Sequence, residues 1–147
     1  MARSTRAEIA GGLYHVITRG NNRRQIFNAP ADYEKFLSLV GAQKSKLPFF
    51  LYAYCLMTNH VHLLIERQAD TIGRIMHRVL TGYSQYYNRR YRRVGHLLQG
   101  RHKSILCQSE LLRKTGKAGV RPAILQFSRE RADFTATYAN LSQFMNN

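Results

Sequence analysis

Apolar and polar positions recur along the first hundred residues with periods that spell strands and helices in turn. Residues 13–18, Leu-Tyr-His-Val-Ile-Thr, are β-branched and aromatic and read as a strand. A polar, glycine-containing loop follows, Arg19-Gly20-Asn21-Asn22-Arg23-Arg24. Asn28-Ala29-Pro30 then opens a helix, with proline in its first turn and Asp32 favourable near its N-terminus. Tyr33, Phe36, Leu37 and Val40 give that helix an apolar face at helical spacing, and Lys44, Ser45 and Lys46 end it before Pro48.

Residues 49–57 predict a strand apolar on both faces, and His60 to Glu66 a second one. With Thr58-Asn59 as a tight turn, the two make a β-hairpin. The longest helix spans residues 71–94, with Ile72, Ile75, Met76, Val79, Tyr83 and Tyr86 in one stripe. Asp70 is its expected N-cap and Gly95 its stop. Tyr87 and Tyr91 are read as free to stack on bases or pack at an interface. Residues 101–107 form a further strand. The order β-α-β-β-α-β predicts an α+β, ferredoxin-like fold: one mostly antiparallel sheet with helices on one face. Residues 1–110 form the core domain. Residues 111–147 are a divergent tail interrupted by Gly116, Gly119 and Pro122, with a last amphipathic helix from about Asp133 to Met145.

Charge changes the picture from fold to partner. The chain of 147 residues carries 23 Lys and Arg against 8 Asp and Glu, a net charge of +15. That excess argues against an ordinary acidic or neutral metabolic enzyme and points to a polyanion. Of the 23 cations 17 are arginine, the side chain that forks onto phosphate and stacks on bases. The two cysteines, Cys55 and Cys107, have no zinc spacing, and a buried Cys55 thiol suits a reducing cytoplasm. No signal peptide and no apolar run of membrane-spanning length is visible.

Chemistry concentrates at His60-Val61-His62. Side chains alternate along a strand, so both imidazoles share one face while Val61, Leu63 and Ile65 share the other. Two neutral imidazoles side by side are suited to a divalent metal that polarises a phosphodiester; the plainer reading is two histidines on a half-buried strand. Glu66 shares the histidine face but lies roughly 13 Å along the strand from His62. His15 reads as a structural histidine.

Several phrases in order then resemble a known family. Tyr14-His15-Val16 with Arg19-Gly20-Asn21, Ile26-Phe27, Tyr54-Cys55-Leu56-Met57-Thr58-Asn59-His60-Val61-His62-Leu63-Leu64 and Gly95-His96-Leu97-Leu98-Gln99-Gly100-Arg101 look like the REP-associated tyrosine transposases. These belong to the HUH single-strand transposases that use one catalytic tyrosine. The resemblance covers about residues 9–110. It implies a divalent metal, Mg2+ or Mn2+, held by His60 and His62. It also implies cleavage and rejoining of single-stranded hairpin DNA through a phosphotyrosine, often in a homodimer.

The resemblance stops where the family carries its nucleophile. Residues 108–137 contain no tyrosine and no Asn-Pro. Tyr138, on the terminal amphipathic helix, is the remaining candidate nucleophile, and its apolar stripe equally allows a core role. DNA contacts are expected from Arg19, Asn21, Arg23 and Arg24 in the first loop. A second set is Arg89, Arg90, Arg92, Arg93, Arg101 and Lys103, the densest basic patch. The alternative function is a catalytically inactive or truncated DNA-binding remnant of the same fold. A histidine-triad nucleotide hydrolase would need histidine where Leu64 stands. A ferredoxin-like RNA binder using Tyr52 and Tyr54 would leave the histidine pair unexplained.

Overall fold

Among the described residues, four strands and two α-helices form in the expected order, and the strands pair wholly antiparallel in the order β2-β3-β1-β4. They are β1 (Leu13–Arg19), α1 (Pro30–Lys46), β2 (Phe49–Leu56), β3 (His60–Arg67), α2 (Ile72–Arg90) and β4 (Lys103–Leu106). The computed structural model describes residues 8–106. Cys107, the tail, the expected terminal helix and Tyr138 lie outside the described residues.

The α+β, ferredoxin-like reading holds, and side-chain alternation explains its layering. Tyr14, Val16 and Thr18 of β1 register with Ile65, Leu63 and Val61 of β3. All six are buried, five of them in a core shared with Phe36 and Val40 of α1 and with Ile72, Ile75, Met76, Val79 and Tyr83 of α2. Both helices therefore cover one face of the sheet, and the histidine-bearing positions of β3 face the other. At the centre of the core, Phe36 meets Tyr83 edge-on with ring centroids 5.3 Å apart, and Phe27 stacks on Tyr33 at 4.4 Å.

The doubly apolar β2 has a local cause. Its register against β3 shifts between Leu51 and Ala53, so Tyr52 is an inserted residue. The bulge reverses the phase of alternation. Phe49 and Leu51 point to the core before it, and Leu56 points there after it. The same reversal places Cys55 opposite His62. The hairpin turn is Thr58-Asn59 as expected, closed by Met57 N–H donating to the His60 carbonyl at 2.8 Å, with positive φ at neither turn residue.

Element ends differ from the sequence expectation in three places. Thr71, not Asp70, caps α2: its Oγ1 accepts from Arg74 N–H at 3.1 Å, while Asp70 pairs with the Arg74 guanidinium at 2.7 Å. Glu8 adds a second carboxylate there, accepting from Ile72 N–H at 2.7 Å. The helix stops at Arg90 rather than before Gly95. Arg92 adopts the left-handed conformation (φ 49°) and Arg93 N–H donates to the Asn88 carbonyl at 2.8 Å. That is a Schellman closure built on a non-glycine residue. β4 (Lys103–Leu106) begins at Lys103 rather than at Arg101.

A further difference concerns tyrosines. Tyr87 is buried, donating to the Gln25 carbonyl at 3.2 Å and accepting from Asn28 Nδ2 at 2.6 Å. Tyr91 donates to Asp32 at 2.5 Å. Both hydroxyls tie the end of α2 to the segment that opens α1, and the Tyr87 ring is buried, so it offers no stacking platform.

Candidate active site and nucleic-acid interface

His60 and His62 lie on the sheet face away from the helices, with ring centroids 4.9 Å apart and planes at 76°. A hydrogen bond fixes which nitrogen His60 presents. His60 Nδ1 is 2.6 Å from Asn59 Oδ1. The Asn59 amide is oriented by its Nδ2 donating to the Arg23 carbonyl at 3.4 Å, so Oδ1 is the atom turned to His60. An amide oxygen only accepts, so His60 carries its proton on Nδ1 and its lone pair on Nε2.

His62 is 6% exposed and is contacted by a third histidine. His15 Nε2 stands 3.0 Å from His62 Nδ1, and the two rings stack at 5.2 Å with planes 21° apart. His15 is thus hydrogen-bonded, as a structural histidine should be, but its partner is a site residue. Sequence reasoning missed this contact because it depends on strand register. Ile17 pairs with His62 and His15 with Leu64, which makes His15 the diagonal neighbour of His62 on one face.

The donor set fits a divalent ion as a two-nitrogen platform. Among the described residues, no group of three His, Cys, Asp or Glu side chains gathers to hold a metal. Remaining ligands would be water, substrate oxygens or side chains outside those residues. Glu66 is not one of them: Tyr52 donates to it at 2.5 Å and Gln68 at 3.4 Å.

The basic loop folds onto the same end of the sheet. Gly20 N–H donates to the Asn59 carbonyl at 2.8 Å, and Ile26 N–H to the Thr58 carbonyl at 2.7 Å. Arg24 N–H donates to Asn21 O at 3.1 Å across Asn22 and Arg23, both left-handed at φ 52° and 57°. Positive φ at both central residues is the type I′ pattern, and it presents Arg23 to solvent. The segment after α2 closes the other side: Asn21 N–H donates to Leu97 O at 2.8 Å and Gln99 N–H to Arg19 O at 2.9 Å. Arg19 is exposed and registers directly with His60. Lys103 is exposed and registers with Ile17, itself opposite His62. That row puts its backbone about 10 Å from that of His62.

The second basic group does not stay together. Arg89 and Arg90 line a groove between α1 and α2 with Lys35, Leu39, Gly82 and Tyr86, on the helical layer. The Arg90 guanidinium is 3.5 Å from Asp32 and lies over the Tyr91 ring. Arg92 and Arg93 form the turn after α2, and Arg101 precedes β4 on an exposed stretch. Lys103 alone of this group sits on a strand position sharing the face of His62.

The hydroxyls of Tyr14, Tyr83 and Tyr86 are committed elsewhere. Tyr83 donates to the Ile26 carbonyl, Tyr86 to Asp32 at 2.9 Å, and Tyr14 accepts from Ile9 N–H at 2.7 Å. Tyr52 places its hydroxyl on the histidine face, but burial and the bond to Glu66 push it up to about 12. Such a phenol resists the deprotonation that nucleophilic attack requires.

The family model for IS200-like transposases matches residues 9–109, and the chain belongs to that family. Among solved structures, the chain is similar to a REP-associated tyrosine transposase bound to a REP hairpin. The TM-score is 0.60 at 16% identity, covering 74% of this chain. The match spans 63% of the length of that protein. A protein from Deinococcus radiodurans classed with the transposases matches at TM-score 0.55 and 14% identity, over 87% of this chain and 96% of its own. No curated protein matches the sequence. At these identities the structural likeness speaks to fold, and the family assignment rests on the sequence model.

Proposed function

We propose that the protein binds single-stranded, hairpin-forming DNA and cuts and rejoins it in a metal-dependent reaction with a phosphotyrosine intermediate. The observation that carries this reading is the His60–His62 pair beside the arginine loop at one end of the sheet. Arg19, Arg23, Arg24 and Lys103 would neutralise the phosphates of a strand laid across the open face, and Asn21 and the exposed loop backbone would set its register. Arg89, Arg90, Arg92, Arg93 and Arg101 would contact the flanking duplex or tail phosphates. His60 and His62 would hold Mg2+ or Mn2+ through Nε2, with the protons on Nδ1 held by Asn59 and by His15. When bound, the ion supplies Lewis-acid stabilisation of charge developing on the scissile phosphate oxygens. A tyrosine oxygen attacks phosphorus, the phosphotyrosine bond forms as the bond to the leaving 3′-oxygen or 5′-oxygen breaks, and the energy is retained for rejoining. Tyr138 is the candidate for that oxygen, supplied in cis or by the second copy of a homodimer.

The test is incubation with a hairpin-containing single strand and Mg2+ or Mn2+, followed by a denaturing gel. A covalent protein–DNA adduct absent in Tyr138→Phe is expected. An adduct retained in that variant assigns the attack to another group. The lack of tyrosine between residues 108 and 137 favours a second reading, a non-catalytic hairpin binder, and binding without any adduct would select it.

A further inference from the structure

We propose that His15 is a positioning residue for the metal site: its Nε2 accepts the Nδ1 proton of His62 and so turns the His62 lone pair to Nε2. The inference rests on the reading of His60 and His62 as metal ligands. A bond between two ring nitrogens has one donor and one acceptor, so the 3.0 Å contact couples the tautomers of the two rings. Either His15 donates and His62 keeps its proton on Nε2, or His62 donates and its Nε2 bears the lone pair.

His60 decides between these. Its Nδ1 faces Asn59 Oδ1 at 2.6 Å, which fixes its own lone pair on Nε2. Two imidazoles with rings 4.9 Å apart on one strand can serve one cation only if each turns a lone pair to it, and with Nδ1 of His62 engaged by His15 that lone pair must be on Nε2. His62 as donor satisfies that condition, and His15 then carries its own proton on Nδ1. An unconstrained histidine imidazole prefers its proton on Nε2, the state that cannot ligate through that atom. His15 therefore does for His62 what Asn59 does for His60. The stacking of the two rings, with planes 21° apart, also fixes the His62 ring plane.

Three variants separate this role from packing. His15→Phe keeps an aromatic ring for stacking but removes the acceptor. His15→Gln removes the ring but offers an amide oxygen as acceptor. His62→Ala removes the ligand. Two readouts apply to each: Mn2+ affinity by titration calorimetry, and the His62 tautomer by nitrogen-15 NMR of the metal-free protein at about pH 8, where imidazole is neutral. In the wild type and His15→Gln, the His62 proton is expected on Nδ1. In His15→Phe it moves to Nε2, and Mn2+ binding weakens about 10-fold or more, with partial rescue in His15→Gln. A wild-type His62 protonated on Nε2 would overturn the proposal, as would unchanged Mn2+ affinity in His15→Phe. If the wild type and His62→Ala bind Mn2+ alike, the metal reading fails, and the His15 role with it. If binding is lost in His62→Ala yet unchanged in His15→Phe, only the His15 role fails. Thermal melts of each variant identify a folding defect, and His15→Gln then decides alone.

Discussion

Arg19 of β1 and His60 of β3 are direct register partners, on strands whose intervening loop is folded against the same hairpin turn. On the proposed function, a strand of DNA reaching the histidine pair would pass the arginine. Arg19→Ala is expected to weaken single-strand binding and to lower the slope of log K against log salt by about 0.7, the share of one phosphate contact. Arg23→Ala should do the same. Fluorescence anisotropy at several salt concentrations measures both, and an unchanged slope would take these side chains out of the interface.

Gly20 is required by close approach rather than by backbone angle. A Cβ built there would stand 2.1 Å from the Arg24 carbonyl oxygen. Gly20→Ala must open the turn that carries Asn21 to Arg24 and disturb its bond to Asn59. The expected result is loss of DNA affinity with a destabilisation of about 1–3 kcal/mol. Wild-type binding and melting in this variant would show that the loop tolerates the shift.

Asp32 ties the two helices together. Its side chain is buried and accepts from Tyr91 and Tyr86 of the α2 end and from the Asn28 and Ala29 N–H groups at 2.9 and 3.1 Å. Burial pushes the carboxyl up, but these hydrogen bonds outweigh it and hold the group below its ordinary value. A depressed carboxylate stabilises the fold above the unfolded value near 4 and loses that contribution as pH falls through the lower folded value. Melting temperature should therefore fall below about pH 4. Asp32→Ala should cost about 2–4 kcal/mol at neutral pH and flatten that acid dependence. Identical acid profiles for the two proteins would contradict this account.

Two imidazole donors are softer than the all-oxygen sites magnesium favours. Mn2+ is expected to bind the wild type more tightly than Mg2+ by titration calorimetry, with both lost in the His60→Ala, His62→Ala double variant. Equal or reversed affinity would mean that oxygen ligands dominate the site.

Much of this was legible in the sequence, for physical reasons that can be named. Strand alternation alone separates His60 and His62 from Val61, Leu63 and Ile65, and the burial pattern of β3 follows it except at His62, which is buried on the opposite face. Helical spacing finds the buried stripe of α2 from Ile72 to Tyr83. What escaped depends on register and on tertiary partners. The bulge at Tyr52 has no glycine or proline to announce it. Tyr87 and Tyr91 look exposed on a helical wheel until Asn28 and Asp32 supply their partners. The approach of Arg90 to Asp32 at 3.5 Å is likewise a tertiary contact that no spacing announces. His15 becomes part of the site only once β1 is aligned on β3.

The most direct test of the proposed chemistry compares cutting with binding. An end-labelled hairpin strand is incubated with Mn2+ and either the wild type or the His60→Ala, His62→Ala double variant. The wild type is expected to cut the strand. The double variant should bind it within a few-fold of wild type, because the arginine loop is intact, and leave it whole. Cutting by the double variant at the wild-type rate, or no cutting by the wild type, would contradict the account.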